Sequence, residues 1–256
     1  MFPSRMTLIG IDPTAGQLPF SYAALDQDLR LLALGHGTLD EVLAFAAGQH
    51  QALAAVCAPR RPNQGVLSRP QVRSALSPAL HPGRWVDFRL ADYLLRQHRI
   101  NIPQTPADEK KCPGWMRQGF CLYLRLEALG YQAYPQAGGA SRQLLEVYPY
   151  ACYTVLLGQP PFAKHTLEGR LQRQLLLYER KLHVPDPMNV FEEITRHRLL
   201  HGVLPLQDVY TPGELDALVA AYTAWVAASH PGEITLVGDP DEGQVVLPVA
   251  ELKSHY

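Results

Sequence analysis

The strongest chemical signal in this chain comes from three acidic residues, Asp12, Glu146 and Asp216. Asp12 ends the apolar run TLIGID at residues 7–12, and strand alternation places it on the face of Leu8 and Gly10, at the C-terminal tip. Ligands of open α/β sheets bind just outside such tips. Glu146 lies within LLEVY, on the face of Leu144 and Tyr148, where burial would require a partner or a metal to offset desolvation. Asp216 borders a helical apolar arc of Leu215, Leu218, Val219, Tyr222, Trp225 and Val226. Together the three form a hard-oxygen set suited to Mg2+ or Mn2+. Such ions activate water and stabilise the leaving oxygen of a phosphoryl displacement. Each acid also has an ordinary alternative. Asp12 suits a turn start before Pro13, Glu146 a solvent-facing edge strand, and Asp216 the dipole of a helix N-terminus.

The elements that would position these residues follow from periodicity and punctuation. TLIGID is apolar on both faces, as a central strand is. Strands at 20–26 and 29–35, joined through Asp26-Gln27-Asp28, form an antiparallel hairpin. A capping box at Thr38–Glu41 opens a helix to about Gly48, and residues 53–57 form another buried strand. This succession predicts an α/β fold with a ribonuclease-H-like mixed sheet, an antiparallel meander plus parallel strands, flanked by helices. Residues 58–116, rich in proline and arginine, read as an insertion within one domain spanning 1–256, with 85–99 its best helix. Helices are expected at 117–130, 167–182, 190–200 and 211–229, the last opened by a capping box at Thr211–Glu214 with Pro212 in its first turn. Short strands are expected at 144–148, 234–237 and 245–247.

The formal charge is −1 over 256 residues, so no global basic field marks a nucleic-acid partner. Residues 58–117, however, hold eleven Lys/Arg against four Asp/Glu, a local +7 that leaves −8 for the rest. Arg60, Arg61, Arg84 and Arg96 from this stretch, with Lys164, are candidate phosphate contacts, and Trp85 and Trp115 could stack on bases. A solvated face with internal Asp–Arg pairs is the competing reading. Lys164, Arg170 and Arg173 form either an anion-binding corner or a charged helix face. His197 and His201 are spaced i, i+4, but no glutamate follows His197 and no third ligand is evident, so an ordinary helix end is expected.

The four cysteines, 57, 112, 121 and 152, include no C-x-x-C pair and read as reduced thiols. The N-terminal apolar run is too short for a signal peptide, and no stretch approaches 18 unbroken apolar residues. A cytoplasmic protein without membrane spans is the expectation. P-loop, dinucleotide-binding and serine-hydrolase motifs are absent from the sequence.

Several segments, in order, resemble one family. They are IGID at 9–12, Ala58-Pro59 after a strand, GRWVDFRLADYLLR at 83–96, WMRQGF at 115–120, LEVYPYA at 145–151, ELDALVAAYTAW at 214–225 and GDPDEGQVVLP at 238–248. The chain thus resembles the bacterial and archaeal domain-of-unknown-function family 429, a group of predicted ribonuclease-H-like nucleases. The resemblance implies the ribonuclease H fold and an acidic site of Asp12, Glu146 and Asp216. The family's usual acid before the Ala-Pro pair is Cys57 here, a poor magnesium ligand.

These readings lead to a divalent-metal-dependent phosphodiesterase acting on DNA or RNA with Mg2+ or Mn2+. In it Asp12 bridges metals, Glu146 completes one coordination sphere, and Asp216 positions a second metal or the attacking water. One alternative is a family member that binds nucleic acid without cleaving it. Another is a nucleotide phosphotransferase of the actin-like kind.

Overall fold

A computed structural model describes residues 6–14, 18–76, 88–135 and 140–256. Arg84, Trp85 and Asp87 lie outside the described residues. The strands are β1 (Thr7–Asp12), β2 (Phe20–Leu25), β3 (Leu31–Gly37), β4 (Ala52–Val56), β5 (Gln132–Ala133), β6 (Arg142–Glu146), β7 (Thr235–Asp239) and β8 (Gly243–Leu247). They form one mixed sheet in the order β3-β2-β1-β4-β6-β8-β7, with β5 alongside β6. β1 pairs antiparallel with β2 and parallel with β4, and β4 pairs parallel with β6. The antiparallel meander, the parallel strands and the flanking helices are those expected of a ribonuclease-H-like α/β core.

The helices are α1 (Leu39–Ala47), α2 (Pro70–Ala75), α3 (Leu90–Gln97), α4 (Gly114–Ala128), α5 (Pro149–Leu157), α6 (Leu167–Glu179), α7 (Asn189–Glu193), α8 (Arg196–Leu200) and α9 (Pro212–Ser229). Both predicted capping boxes form, at Thr38–Glu41 and Thr211–Glu214. The single helix expected over 190–200 is instead two short ones. Ile194 is extended, and the Thr195 hydroxyl accepts from the Arg198 amide to start α8 afresh. α5 escaped the sequence reading because Pro149 looked like the end of a strand. In the structure it occupies the first helical turn, where its missing N–H costs nothing.

Helices cover both faces of the sheet. Leu8, Ala55, Cys57, Leu145 and Val147 pack with α5 and α9 on one face. Ile9, Ile11, Ala54, Val56 and Leu144 pack with α1 and α4 on the other. α9 lies unusually close to β1. A Cβ built on Gly10 would stand 1.9 Å from the Ala217 carbonyl oxygen and 2.5 Å from the Ala221 nitrogen. Glycine in the strand and the alanine run in the helix therefore set the spacing of the two elements. Gly10→Ala is expected to destabilise the fold by about 3 kcal/mol or more, because the clash is with backbone. A urea midpoint close to that of the wild type would contradict this packing account.

The proline-rich segment is tied into the core. Ala91 and Leu95 of α3 belong to the α9-side core, beside Val237 and Val245. Glu242, fully buried, accepts from the backbone nitrogens of Gln64 (2.9 Å) and Leu90 (2.8 Å), pinning two parts of the segment to the β7–β8 turn. No helix among the described residues is long and apolar enough to cross a membrane.

Candidate functional site

β1 ends at Asp12 just where the first turn of α9 crosses the strand tips. A Cβ on Gly213 would lie 2.4 Å from Ser21 Oγ and 3.7 Å from Asp12 Oδ2, so the helix starts in close contact with both side chains. Ser21 is the β2 residue paired with Asp12. Its Oγ lies 3.1 Å from His36 Nδ1, and His36 Nε2 lies 3.5 Å from Glu214 Oε1. The other Glu214 oxygen accepts from the Thr211 backbone nitrogen at 2.7 Å, closing the capping box. Ser21, His36 and Glu214 thus fasten the start of α9 to the β2–β3 hairpin. Asp216, one turn into the helix, is held over Asp12. The sequence reading missed this fastening, which depends on Ser21 facing Asp12 across the hairpin.

Asp216 is buried, and Lys164 Nζ donates to its Oδ2 at 2.7 Å. The lysine approaches from the loop before α6. Burial, and then the charge of Asp216, push the Asp12 carboxyl up from 3.8 to about 8, with Lys164 partly offsetting them. Burial also penalises the Lys164 ammonium, but Asp216 and then Asp12 outweigh this and raise its pKa. Cys57 lies beneath the pair with its thiol directed at the Asp216 carbonyl, 3.6 Å away. Burial, then Asp12 and Asp216, hold that thiol well above its ordinary range, so it remains protonated.

A pH dependence follows from the raised Asp12. Between 3.8 and about 8 the unfolded chain has lost this proton while the metal-free folded protein retains it. The folded state then binds more protons, so stability falls as pH rises through that window. Asp12→Asn is expected to flatten the decline. Urea midpoints across the window should separate wild type from variant increasingly toward its upper end. Parallel curves would contradict the assignment.

These residues open into a cavity of about 1010 Å3, at the upper end for small-molecule sites. Its walls include several prolines and the aromatic rings of Trp115, Tyr148, Tyr150 and Phe162. Asn101 and Pro103 from the proline-rich segment complete one side, and Arg173 of α6 lies at the lining.

The structure brings together Asp12, Asp216 and Lys164 but leaves Glu146 apart. In parallel register Ile11 aligns with Val56 and Val56 with Glu146, which puts Glu146 on the face opposite Asp12. There both of its oxygens are taken by Arg89, at 3.0 and 2.5 Å, and the Arg60 amide donates to it at 2.9 Å. Among the described residues no group of three or more His, Cys, Asp or Glu converges in a way that could hold a metal ion.

Of the arginines proposed for phosphate contact, Arg84 lies outside the described residues, and Arg60, Arg61 and Arg96 are placed away from the cavity. The Arg60 side chain is paired with Glu127, at 2.7 and 3.0 Å. Arg96 donates twice to the Ile102 carbonyl and covers the Phe88 ring. Arg61 is half-buried and is not part of the cavity lining, whereas Lys164 is. The rings of His197 and His201 stack on α8, and His201 Nδ1 lies 2.8 Å from the His197 carbonyl.

Sheet and site together define an α/β protein with a paired-carboxylate cavity at the tip of its central strand. The chain belongs to the family described as Protein of unknown function (DUF429), which matches residues 10–242. Comparison with curated proteins and with solved structures finds no match in either.

Proposed function

We propose that this chain is a divalent-metal-dependent phosphodiesterase that works at the Asp12–Asp216 pair on nucleic acid. The observation that carries the reading is the convergence of two carboxylates at the cavity floor, close enough that one raises the pKa of the other. A cation relieves that repulsion. Magnesium binds through one or two carboxylates, keeping waters and substrate oxygens for its remaining positions, so this pair fits a single Mg2+ or Mn2+. Such an ion supplies an activated water and stabilises charge on the leaving oxygen. Glu146 takes no part in this version of the site.

The chain's own groups would do the rest. Asp12 and Asp216 orient the reacting centre from β1 and α9. Lys164 moves from Asp216 to a phosphate oxygen of the substrate. The aromatic and proline walls accept a flat base and exclude water from the floor. The test is hydrolysis of single-stranded DNA and RNA by the purified protein with Mn2+, with Mg2+ and with EDTA. Metal-dependent cleavage is expected, and its absence across substrates, with metal binding also absent, would remove the proposal.

A second reading is a family member that binds without cleaving. It is favoured by the Lys164–Asp216 contact, in which an ammonium already supplies the positive charge, and by Cys57. Salt-sensitive binding that ignores metal, with no turnover, would select it.

A further inference from the structure

Arg173 is the least explained polar side chain at the cavity. It is 3% exposed and yet contributes to the lining. Its Nη1 donates to two carbonyl oxygens, those of Phe162 and Gly169, each at 2.8 Å. These bonds fix the guanidinium against the loop that forms one cavity wall, and the group also lies over the Tyr153 ring, 5.2 Å from its centroid. The opposite edge is different. Nε is buried and has no hydrogen-bond partner among the described residues. An unmet buried donor on a charged group costs several times what a met one gains, so native structures rarely keep one without a use. Nε and Nη2 form the fork that receives a carboxylate or phosphate in bidentate fashion.

We propose that Arg173 is the anchor of an anion subsite that takes the phosphate of an unpaired nucleotide, whose base lies against the aromatic wall. Lys164, already paired with Asp216, and Arg173 place two cations on α6 and its leading loop, in the same cavity lining as the acids Asp12 and Asp216. The volume of about 1010 Å3 holds a nucleotide or the end of a single strand rather than a duplex. This deepens the phosphodiesterase reading by naming a substrate class with a phosphate beyond the scissile one. The anion contact itself requires neither metal nor turnover.

The experiment is calorimetry on the full chain in EDTA, with AMP and adenosine as probes. Wild type is expected to bind AMP about tenfold or more tightly than adenosine, as a charge-assisted bidentate contact provides. Arg173→Met should bring AMP down to the level of adenosine and leave adenosine unchanged, with Arg173→Lys in between. Equal binding of the two probes by wild type overturns the proposal. So does an AMP preference that survives in Arg173→Met.

Loss of the Phe162 and Gly169 contacts could unfold that variant. In that case displacement of AMP from wild type by inorganic phosphate, and not by chloride at equal ionic strength, carries the test, and its absence overturns the subsite. Oligonucleotides with a 5′-phosphate or a 5′-hydroxyl identify the source. A preference for the phosphorylated strand assigns a strand end, and AMP binding alone assigns a free nucleotide; both support the subsite. AMP binding in EDTA by a protein that never cleaves would leave the subsite standing and remove only the hydrolase reading.

Discussion

Arg89→Met is expected to cost about 3–5 kcal/mol of folding stability, the usual consequence of removing one partner from a buried ion pair. Arg89, Asp92 and Glu146 are 2%, 1% and 5% exposed, so water cannot replace the lost guanidinium. Arg89 spans both acids. Its Nη atoms hold the two Glu146 oxygens, and Nε and Nη2 reach Asp92 Oδ1 at 3.3 and 3.1 Å. The second Asp92 oxygen accepts from the Thr105 amide at 2.9 Å. Burial opposes the charge on Arg89, but Glu146 and then Asp92 more than compensate, and the guanidinium stays protonated.

The network joins the start of α3 to the end of β6 and to the chain at Arg60 and Thr105, so the proline-rich segment should loosen with it. Urea denaturation measures the loss, and limited proteolysis should show new cleavage within residues 58–116. Adding Glu146→Gln to the variant should recover part of the stability, since it removes the uncompensated charge. A loss below about 1 kcal/mol, the scale of an exposed pair, would mean that the triad is solvated and not structural.

This network also shows where reading the sequence stops. Alternation correctly put Glu146 on the face of Leu144, and a buried glutamate was correctly expected to need a partner. What the sequence lacks is the relation between faces of different strands. That depends on the register Ile11–Val56–Glu146 through β4, and a shift of one residue would have turned Glu146 to the face of Asp12. The partner was likewise open to two answers, metal or arginine, and Arg89 is 57 positions away in the chain.

Elements with local physical causes were legible. The capping residues Thr38 and Thr211 start α1 and α9, and TLIGID, apolar on both faces up to Asp12, is an internal strand of the sheet. The pairing of Asp12 with Asp216 was readable only as a juxtaposition of tip and helix edge. Gly10 and Gly213 make it possible, and their role emerges from the closeness of β1 and α9. Of the basic residues, composition could count charges but could not assign partners. Arg60 and Arg96 are spent inside the fold, and Lys164 and Arg173 reach the cavity from outside the basic stretch.

On the proposed phosphodiesterase reading, Asp12→Asn is expected to lower metal-dependent turnover on the order of a thousandfold or more, since a cation bound there would supply several kcal/mol of transition-state stabilisation. Asp216→Asn should fall comparably, because the two carboxylates share one site and each alone is a poor magnesium ligand set. Glu146→Gln should instead keep turnover within a few-fold while losing stability, because its carboxylate serves Arg89 on the other face of the sheet.

The Asp12 result can be separated from simple damage to the fold. Burial and Asp216 make the ionised Asp12 unfavourable in the metal-free protein, so the amide should raise stability near the top of the window between 3.8 and about 8. A variant that gains stability and loses catalysis has lost a group held in place for the reaction, the trade expected where acids are crowded for function. Turnover that survives Asp12→Asn would move the chemistry away from the strand tip. Loss of turnover in Glu146→Gln, with the fold intact, would return Glu146 to the site and require the sheet face to rearrange when substrate binds.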